Sequence, residues 1–391
     1  MKITASSNSV AYGEPGIFRG HFSFADPRLS GYMWPLCEIR GDRDGPRLCI
    51  SAGVHVNEVA AIEAAVRLQK LFDPRKIQGS VSIIPLVNQP ALYKYSEYVC
   101  PLDGKNINFS FPGDPNGSFS EILCDAIMNE WCVGADCYVD MHGGDLRENV
   151  SKFTIFQHTD DPVLDERARR MAMCFDAELV VGLPVAHIPK PGRPPTGFAS
   201  KNRLAIMSEA GANGLVDEAS VQFHVDGVLN VARALGILDT PSTEFQRARV
   251  PCDDYIWVAC PTDGEFYSEV EPGDRIHKDQ RLGTICDLFG ETVAEIAAPE
   301  TGFLLWRITH PSIPNGSPVL AIAVEERAAS QRKGDIRTQQ SQTTIRPWHG
   351  TNVRFKPELL QKKGNTDENH NDYSITHRGF VACCPVGTRQ G

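Results

Sequence analysis

The sequence contains no run of about 18 apolar residues, and no apolar stretch follows Met1, so neither a membrane span nor a secretory leader is expected. It has no excess of positive charge. Its 39 Lys and Arg stand against 49 Asp and Glu, a net charge of −10 in 391 residues. A nucleic-acid backbone is a poor partner for such a chain. Twelve cysteines are present, yet none forms a C-x-x-C pair. That excludes a zinc knuckle and points to free thiols in a reducing, cytoplasmic compartment. Two catalytic signatures are also missing. Nothing matches the phosphate loop G-x-x-x-x-G-K-[ST], and GANG at 211–214 is too short for a dinucleotide loop. No G-x-S-x-G nucleophile elbow occurs.

What is present has a clear texture. Residues 1–45 are mixed, with turn signals at Gly13, Pro15, Gly16 and 41–45. From residue 47, short β-rich runs alternate with helical patterns. The runs are LCISAGV (48–54), SVSIIPLV (80–87), CYVDMH (137–142), FTIFQ (153–157), ELVVGL (178–183) and LAIMSEA (204–210). Helical periods fall over 57–72, 118–132, 161–175 and 217–235. Apolar strands alternating with helices predict an α/β fold: a mixed, mostly parallel sheet with helices on both faces.

This α/β part spans 1–245. Residues 246–327 change character, with Gly or Pro every few residues, and predict a small all-β module. PTDGEFYSEVEPGD and APETGFLLW give it an internal echo. No lysine stands at the tip of an E-x-K-M turn, so a swinging-arm carrier is not expected. The module is read as a wall or lid for a pocket, or as a homo-oligomer contact. Residues 328–391, with ten Lys and Arg against five Asp and Glu and no sustained apolar period, read as a disordered tail.

Chemistry concentrates at strand ends. His55 and Glu58 follow the strand 48–54 at the mouth of a helix. They offer two ligands of a three-ligand metal site. The plain alternative is a helix start, where the dipole favours Glu58 anyway. His142 ends the strand 137–142 before Gly143-Gly144 and could be the third ligand or a turn histidine. Asp140 would be its supporting partner or a capping acid. Glu209 ends an apolar strand, where a carboxylate is either a general base or a paired rim acid. The loop PVAHIPKPGRPPTG could cover such a site, with Lys190 or Arg193 reaching in. His158, His224 and His277 lack partners at useful spacing and read as structural.

Five stretches, GVHVNE (53–58), NQPALY (88–93), DGKNINFSFPGD (103–114), DMHGGD (140–145) and SEAGANG (208–214), resemble the succinylglutamate desuccinylase/aspartoacylase family, in that family's order. The resemblance covers roughly 45–325, including the β-rich module. It implies a zinc-carboxypeptidase-like fold, one zinc ion on His55, Glu58 and His142, and Glu209 as general base. It further implies hydrolysis of a small N-acyl amino acid or amine, with esters as related substrates. A peptide-cleaving metallocarboxypeptidase and a non-catalytic zinc-binding relative are the alternatives. Two departures concern substrate binding. Phe109 follows Asn108 where members carry an arginine that grips a carboxylate, and Tyr98 stands where another arginine is usual. Phenylalanine cannot replace a bidentate guanidinium. Tyr98 and Asn108 remain as polar contacts for substrate, and Lys105 and Arg147 are the nearest cations by sequence.

Overall fold

Apolar and β-branched runs bounded by turn residues build the strands. The computed structural model describes residues 2–5, 10–242, 245 and 249–325; the tail expected over 328–391, with Cys383 and Cys384, lies outside the described residues. The first stretch supplies β1 (Lys2–Ala5), β2 (Gly16–Ser23) and β3 (Trp34–Arg40). The six expected runs become β4 (Arg47–Ala52), β5 (Ser80–Ile84), β6 (Cys137–His142), β7 (Glu148–Gln157), β8 (Leu179–Leu183) and β9 (Ala205–Ala212). Between them lie α1 (Val59–Leu68), α2 (Phe119–Ala126) prolonged by a π-helical turn over Ile127–Trp131, α3 (Pro162–Ala172), the short α4 (Pro194–Ala199) and α5 (Glu218–Ala234). The β-rich region gives β10 (Val250–Ala259), β11 (Gly264–Ser268), β12 (Arg275–Ile276), β13 (Arg281–Cys286), β14 (Thr292–Ala297), β15 (Gly302–Ile308), β16 (Ser312–Ile313) and β17 (Pro318–Glu325).

Alternation along the strands sorts side chains onto two faces. Leu48, Ile50, Ala52, Val139 and Met141 join one core with the apolar sides of α1, α3 and α5. Cys49 and Tyr138, which alternate with them, join a second core with α2 and Phe198 of α4. Helices therefore cover both faces, as the pattern predicts. Ala60, Ala61, Ala64 and Ala65 are all buried on α1, and their small size lets the helix lie against α5. Overfilling that contact with Leu at 64 would cost about 1–3 kcal/mol.

The large sheet runs β1-β2-β3-β5-β4-β6-β9-β7-β8-β10-β17-β15-β12. Its pairing is mixed, but "mostly parallel" overstates it. Parallel ladders are confined to β5-β4-β6-β9 and β7-β8-β10. The flanks and the β9–β7 junction are antiparallel. The stretch beyond 246 is continuous with the main sheet. Strand β15 pairs with β17 and also with β7, so β7-β8-β10-β17-β15 closes on itself as a five-stranded barrel. Only β14-β13-β11-β16 forms a separate sheet. A third core, with Phe153, Val181, Leu304 and Ile322, fills this end. None of the described helices is long and apolar enough to cross a membrane.

Candidate metal centre and pocket

Strands β4, β6 and β9 lie side by side and deliver their C-terminal ends to one edge. His142 and Glu209 are register partners across β6 and β9. The chain leaves β4 through Gly53 at φ +67, where a Cβ would lie 2.7 Å from Leu86 Cδ1. Only glycine makes that turn, and two residues later His55 points back into the edge. Gly143 has a similar packing reason: a Cβ there would sit 2.2 Å from the Ala210 carbonyl oxygen. The Gly-Gly after His142 lets two backbones close up beside the site.

Three ligand atoms converge, one each from His55, Glu58 and His142, all within 4.8 Å of one another. His55 Nδ1 is 2.6 Å from Glu58 Oε1, and His142 Nδ1 is 2.9 Å from Glu58 Oε2. All three side chains are buried. Glu58 does stand at the start of a helix. Glu58 occupies the N-cap of α1, but its side chain makes no cap hydrogen bond. The N-caps Asp161 of α3 and Asp217 of α5 do accept backbone N–H groups. Glu58 faces the histidines instead.

The far side of each imidazole is fixed. His55 Nε2 donates to Asn106 Oδ1 at 3.0 Å. His142 Nε2 donates to Asp140 Oδ2 at 2.9 Å, and Asp140 is held in turn by the Ser51 hydroxyl. These bonds fix the ring orientations and leave both Nδ1 atoms facing Glu58, with His55 Nδ1 hydrogen-bonded to Glu58 Oε1. His142 Nδ1 and Glu58 Oε2, though close, are misaligned and lack a hydrogen-bond partner. Orphaned buried atoms of this kind are costly. A divalent cation satisfies both at once, and two imidazoles with one carboxylate suit zinc.

Electrostatics agree with a cation site. Burial works against a charged His55, but the Glu58 carboxylate outweighs it and raises its pKa to about 9. Burial likewise opposes ionisation of Glu58, but the two imidazoles hold it down at about 2. Glu209 behaves differently. Burial pushes it up to about 8, against the pull of His142, so it can take and release a proton near neutrality.

The pocket beside these groups has a free volume of about 120 Å³. Tyr98 and Asn108 line it as expected. Burial and the nearby Glu148 raise the Tyr98 pKa well above its ordinary value, so its hydroxyl stays protonated. The Asn108 Oδ1 atom is buried without a partner. Lys105 and Arg147 are not among the lining residues. Lys105 Nζ is paired with Glu121 at 2.7 Å, and Arg147 with Glu97 at 2.6 Å. Arg193, from the Pro- and Gly-rich loop, is the cation that lines the pocket.

Sequence reasoning missed one acid of the site and left the residues of its wall unnamed. Glu148 lines the pocket, accepts from the Trp306 indole N–H at 2.6 Å and from the Asp145 backbone N–H at 2.9 Å. Burial raises it to about 8. The β-rich region does wall the pocket, one of the readings given to it, through Tyr255, Trp257, Leu305 and Trp306 beside Val150 and Phe153. No local motif marks them, because strands far apart in sequence bring them together. His224 is buried behind Glu209, bonded to Ser208 Oγ at 2.9 Å.

Comparison with known proteins follows these lines. Residues 44–235 match the family described as Succinylglutamate desuccinylase/Aspartoacylase catalytic domain. The chain is 25% identical over 334 residues to an N-alpha-acetyl-L-2,4-diaminobutyric acid deacetylase of Halomonas elongata, covering 82% of this chain and 94% of that protein. Among solved structures it is similar to the product-bound ectoine utilization protein EutE (DoeB) of Ruegeria pomeroyi. The TM-score is 0.71 at 22% identity, over 82% of this chain and 98% of that one. A succinylglutamate desuccinylase from a Silicibacter species gives 0.70 at 23%, over 83% and 100%. Residues 44–235 of this chain thus match the catalytic domain of the succinylglutamate desuccinylase/aspartoacylase family, and its fold is that of solved structures described by that name.

Proposed function

We propose that this protein is a zinc-dependent deacylase that removes an acyl group from a small N-acylated amino acid or amine. The observation that carries the reading is the buried His55–Glu58–His142 cluster with Glu209 beside it, at the floor of one small pocket. A pocket of about 120 Å³ suits a small molecule better than a peptide. The Halomonas relative is named for an acetylated diamino acid, which makes N-acetyl amino acids the first substrates to try. Ten free cysteines among the described residues, most of them buried, support a reducing cytoplasmic setting.

In this reading His55, Glu58 and His142 hold the ion. Zinc bound there supplies Lewis acidity and makes hydroxide available near neutral pH. Glu209 takes the proton of the attacking water and passes it to the departing amine. Tyr98, protonated throughout the working range, donates to the oxygen that gains charge. Asn108 offers its unpaired Oδ1 to a substrate N–H. Asp140 and Asn106 keep the two imidazoles from turning.

The test is metal analysis together with turnover of N-acetyl amino acids by the purified chain. About one zinc per chain is expected. Glu209→Gln should keep the metal and lose about 10²- to 10⁴-fold in kcat. A Gln variant with undiminished turnover would remove Glu209 from the mechanism, and absence of turnover on every N-acyl compound would sink the deacylase reading.

A further inference from the structure

We infer that Glu148, with the aromatic wall beside it, forms a subsite for a primary ammonium, so that the preferred substrates are N-acyl compounds carrying a free amine on a short stem. The inference rests on the deacylase reading for the identity of the reaction, while the ammonium subsite stands on separate observations.

Three carboxyl groups line the pocket: Glu58, Glu148 and Glu209. Glu58 faces the two imidazoles, and Glu209 stands across from His142 on the next strand. Glu148 has no such part in holding the ion or moving the proton. An acid at a pocket wall is costly to bury without a counter-charge. Among the described residues no Lys or Arg pairs with it. Arg147, its neighbour in sequence, is engaged by Glu97 at 2.6 Å, and Arg193 lies against the rings of Phe109 and Tyr255. The groups that bond Glu148 are donors without formal charge, the Trp306 indole N–H at 2.6 Å and the Asp145 backbone N–H at 2.9 Å. They aim the carboxyl and leave it acceptor sites, since a carboxylate takes about four hydrogen bonds. Burial pushes the group up to about 8 in the pocket as it stands, and a cation beside it favours the charged form.

The rings beside Glu148 complete the subsite. Tyr255, Trp257 and Trp306 all line the pocket and meet edge to face in a row, with centroids 5.8 and 5.1 Å apart. The row ends at Glu148 through the Trp306 indole. Tyr98 also lines the pocket, and Glu148 is the strongest of the charges acting on its hydroxyl. Aromatic faces attract a cation, and an apolar stem packs against them. The backbone here is fixed. Glu148 stands opposite Ile308, and Val150 opposite Trp306, across β7 and β15. The Glu148 carbonyl accepts from Asn213 N–H at 2.7 Å. A free volume of about 120 Å³ favours a compact ammonium over a guanidinium.

Isosteric pairs isolate the charge: Nα-acetyl-L-ornithine against Nα-acetyl-L-norleucine, and, one methylene shorter, Nα-acetyl-L-2,4-diaminobutyrate against Nα-acetyl-L-norvaline. The members of each pair differ only in a terminal ammonium or methyl group. The zinc-loaded wild type should prefer the cationic member of at least one pair by about 10- to 100-fold in kcat/KM, the scale of a charge-assisted hydrogen bond. Glu148→Gln should bring that ratio to within about threefold of one, and Glu148→Asp should retain part of it. The ratio is the readout, because a purely structural loss lowers both members together. If Glu148→Gln does not fold, Glu148→Asp decides, and a ratio equal to that of the wild type overturns the inference. Binding of the same pairs to zinc-loaded Glu209→Gln, with and without Glu148→Gln, gives a measure independent of turnover. A preference for the cation in binding that vanishes with Glu148 supports the subsite even if no compound is hydrolysed, in which case only the deacylase reading falls. Turnover with no preference for the cationic member of either pair, or a preference that persists in Glu148→Gln, overturns the inference and leaves the deacylase reading standing.

Discussion

The floor and the wall of the pocket are built in opposite ways. The floor, His55, Glu58, His142 and Glu209, comes from the ends of three adjacent strands and is polar, with His55, Glu58 and His142 buried and Glu209 partly so. The wall, led by Tyr255, Trp257, Leu305 and Trp306, comes from the barrel and is mostly aromatic and aliphatic. Every floor residue is held by a short local device: a turn glycine, a tautomer-fixing acceptor, a neighbouring strand. The wall residues are held by barrel closure, through the pairing of β15 with both β17 and β7. The floor therefore fixes the chemistry, and the wall fixes what fits.

The sharpest way to break this comparison is at the floor. His142→Ala removes one ligand and leaves Glu58 Oε2 and Asp140 facing an empty space. It should lose the metal and all measurable turnover, while an equally drastic wall change, Trp257→Ala, should keep the metal and act mainly on KM. Metal content by atomic spectroscopy, read beside kcat and KM, decides it. If Trp257→Ala also loses the metal, floor and wall are one cooperative unit and the division is wrong.

The same division explains what could be read from the chain. His55, Glu58, His142 and Glu209 each sit within a few residues of the strand or turn that positions them, so their spacing shows in one dimension. The apolar runs of β4 to β9 show for the same reason. Strand β3 alternates less clearly, with Pro35 and Glu38 inside it, and its place in the sheet depends on pairing with β5, about 40 residues along the chain. Barrel closure has no local signature: β7 and β15 lie about 150 residues apart, and a β-rich stretch looks the same whether its strands form a module or finish an existing sheet. Lys105 and Arg147 stand beside the right motifs, but sequence distance does not say which acid will reach them first.

Glu148 is where floor and wall meet, and a smaller effect tests that joint. Its carboxyl bonds Trp306 of the wall and lies near Glu58 of the floor. In metal-free protein its pKa is about 8, against about 4.5 when unfolded. Between these values the folded chain keeps a proton that the unfolded chain has released, so stability falls as pH rises from about 4.5 to about 8. One such group contributes a slope of up to about 1.4 kcal/mol per pH unit. Glu148→Gln should flatten that slope in denaturant titrations of chelator-treated protein at pH 5 and pH 6.5. His55, whose elevated pKa adds stability that is lost as pH rises from about 6.5 to about 9, slopes the same way above that range, so the comparison belongs below about pH 6.5. An unchanged slope would mean that the joint does not titrate in this range.

The smallest effect is expected where a sequence neighbour of the site is spent elsewhere. Lys105 is about one-third exposed, 37% by side chain, and its Nζ is taken by Glu121, which also closes the capping box of α2. Arg147 is engaged through both Nε and a terminal nitrogen by Glu97. Partly exposed pairs of this kind contribute about 0–1 kcal/mol. Lys105→Ala and Arg147→Ala should therefore change kcat/KM on any N-acyl substrate by less than about threefold, and stability by less than about 1 kcal/mol. The prediction has force because the opposite follows from their position: Lys105 lies one residue from Asn106, and Arg147 one residue from Glu148. A loss above tenfold in either variant, with metal content intact, would mean that the pair opens when substrate arrives, and that the acid holding each cation is a latch on the pocket's supply of positive charge.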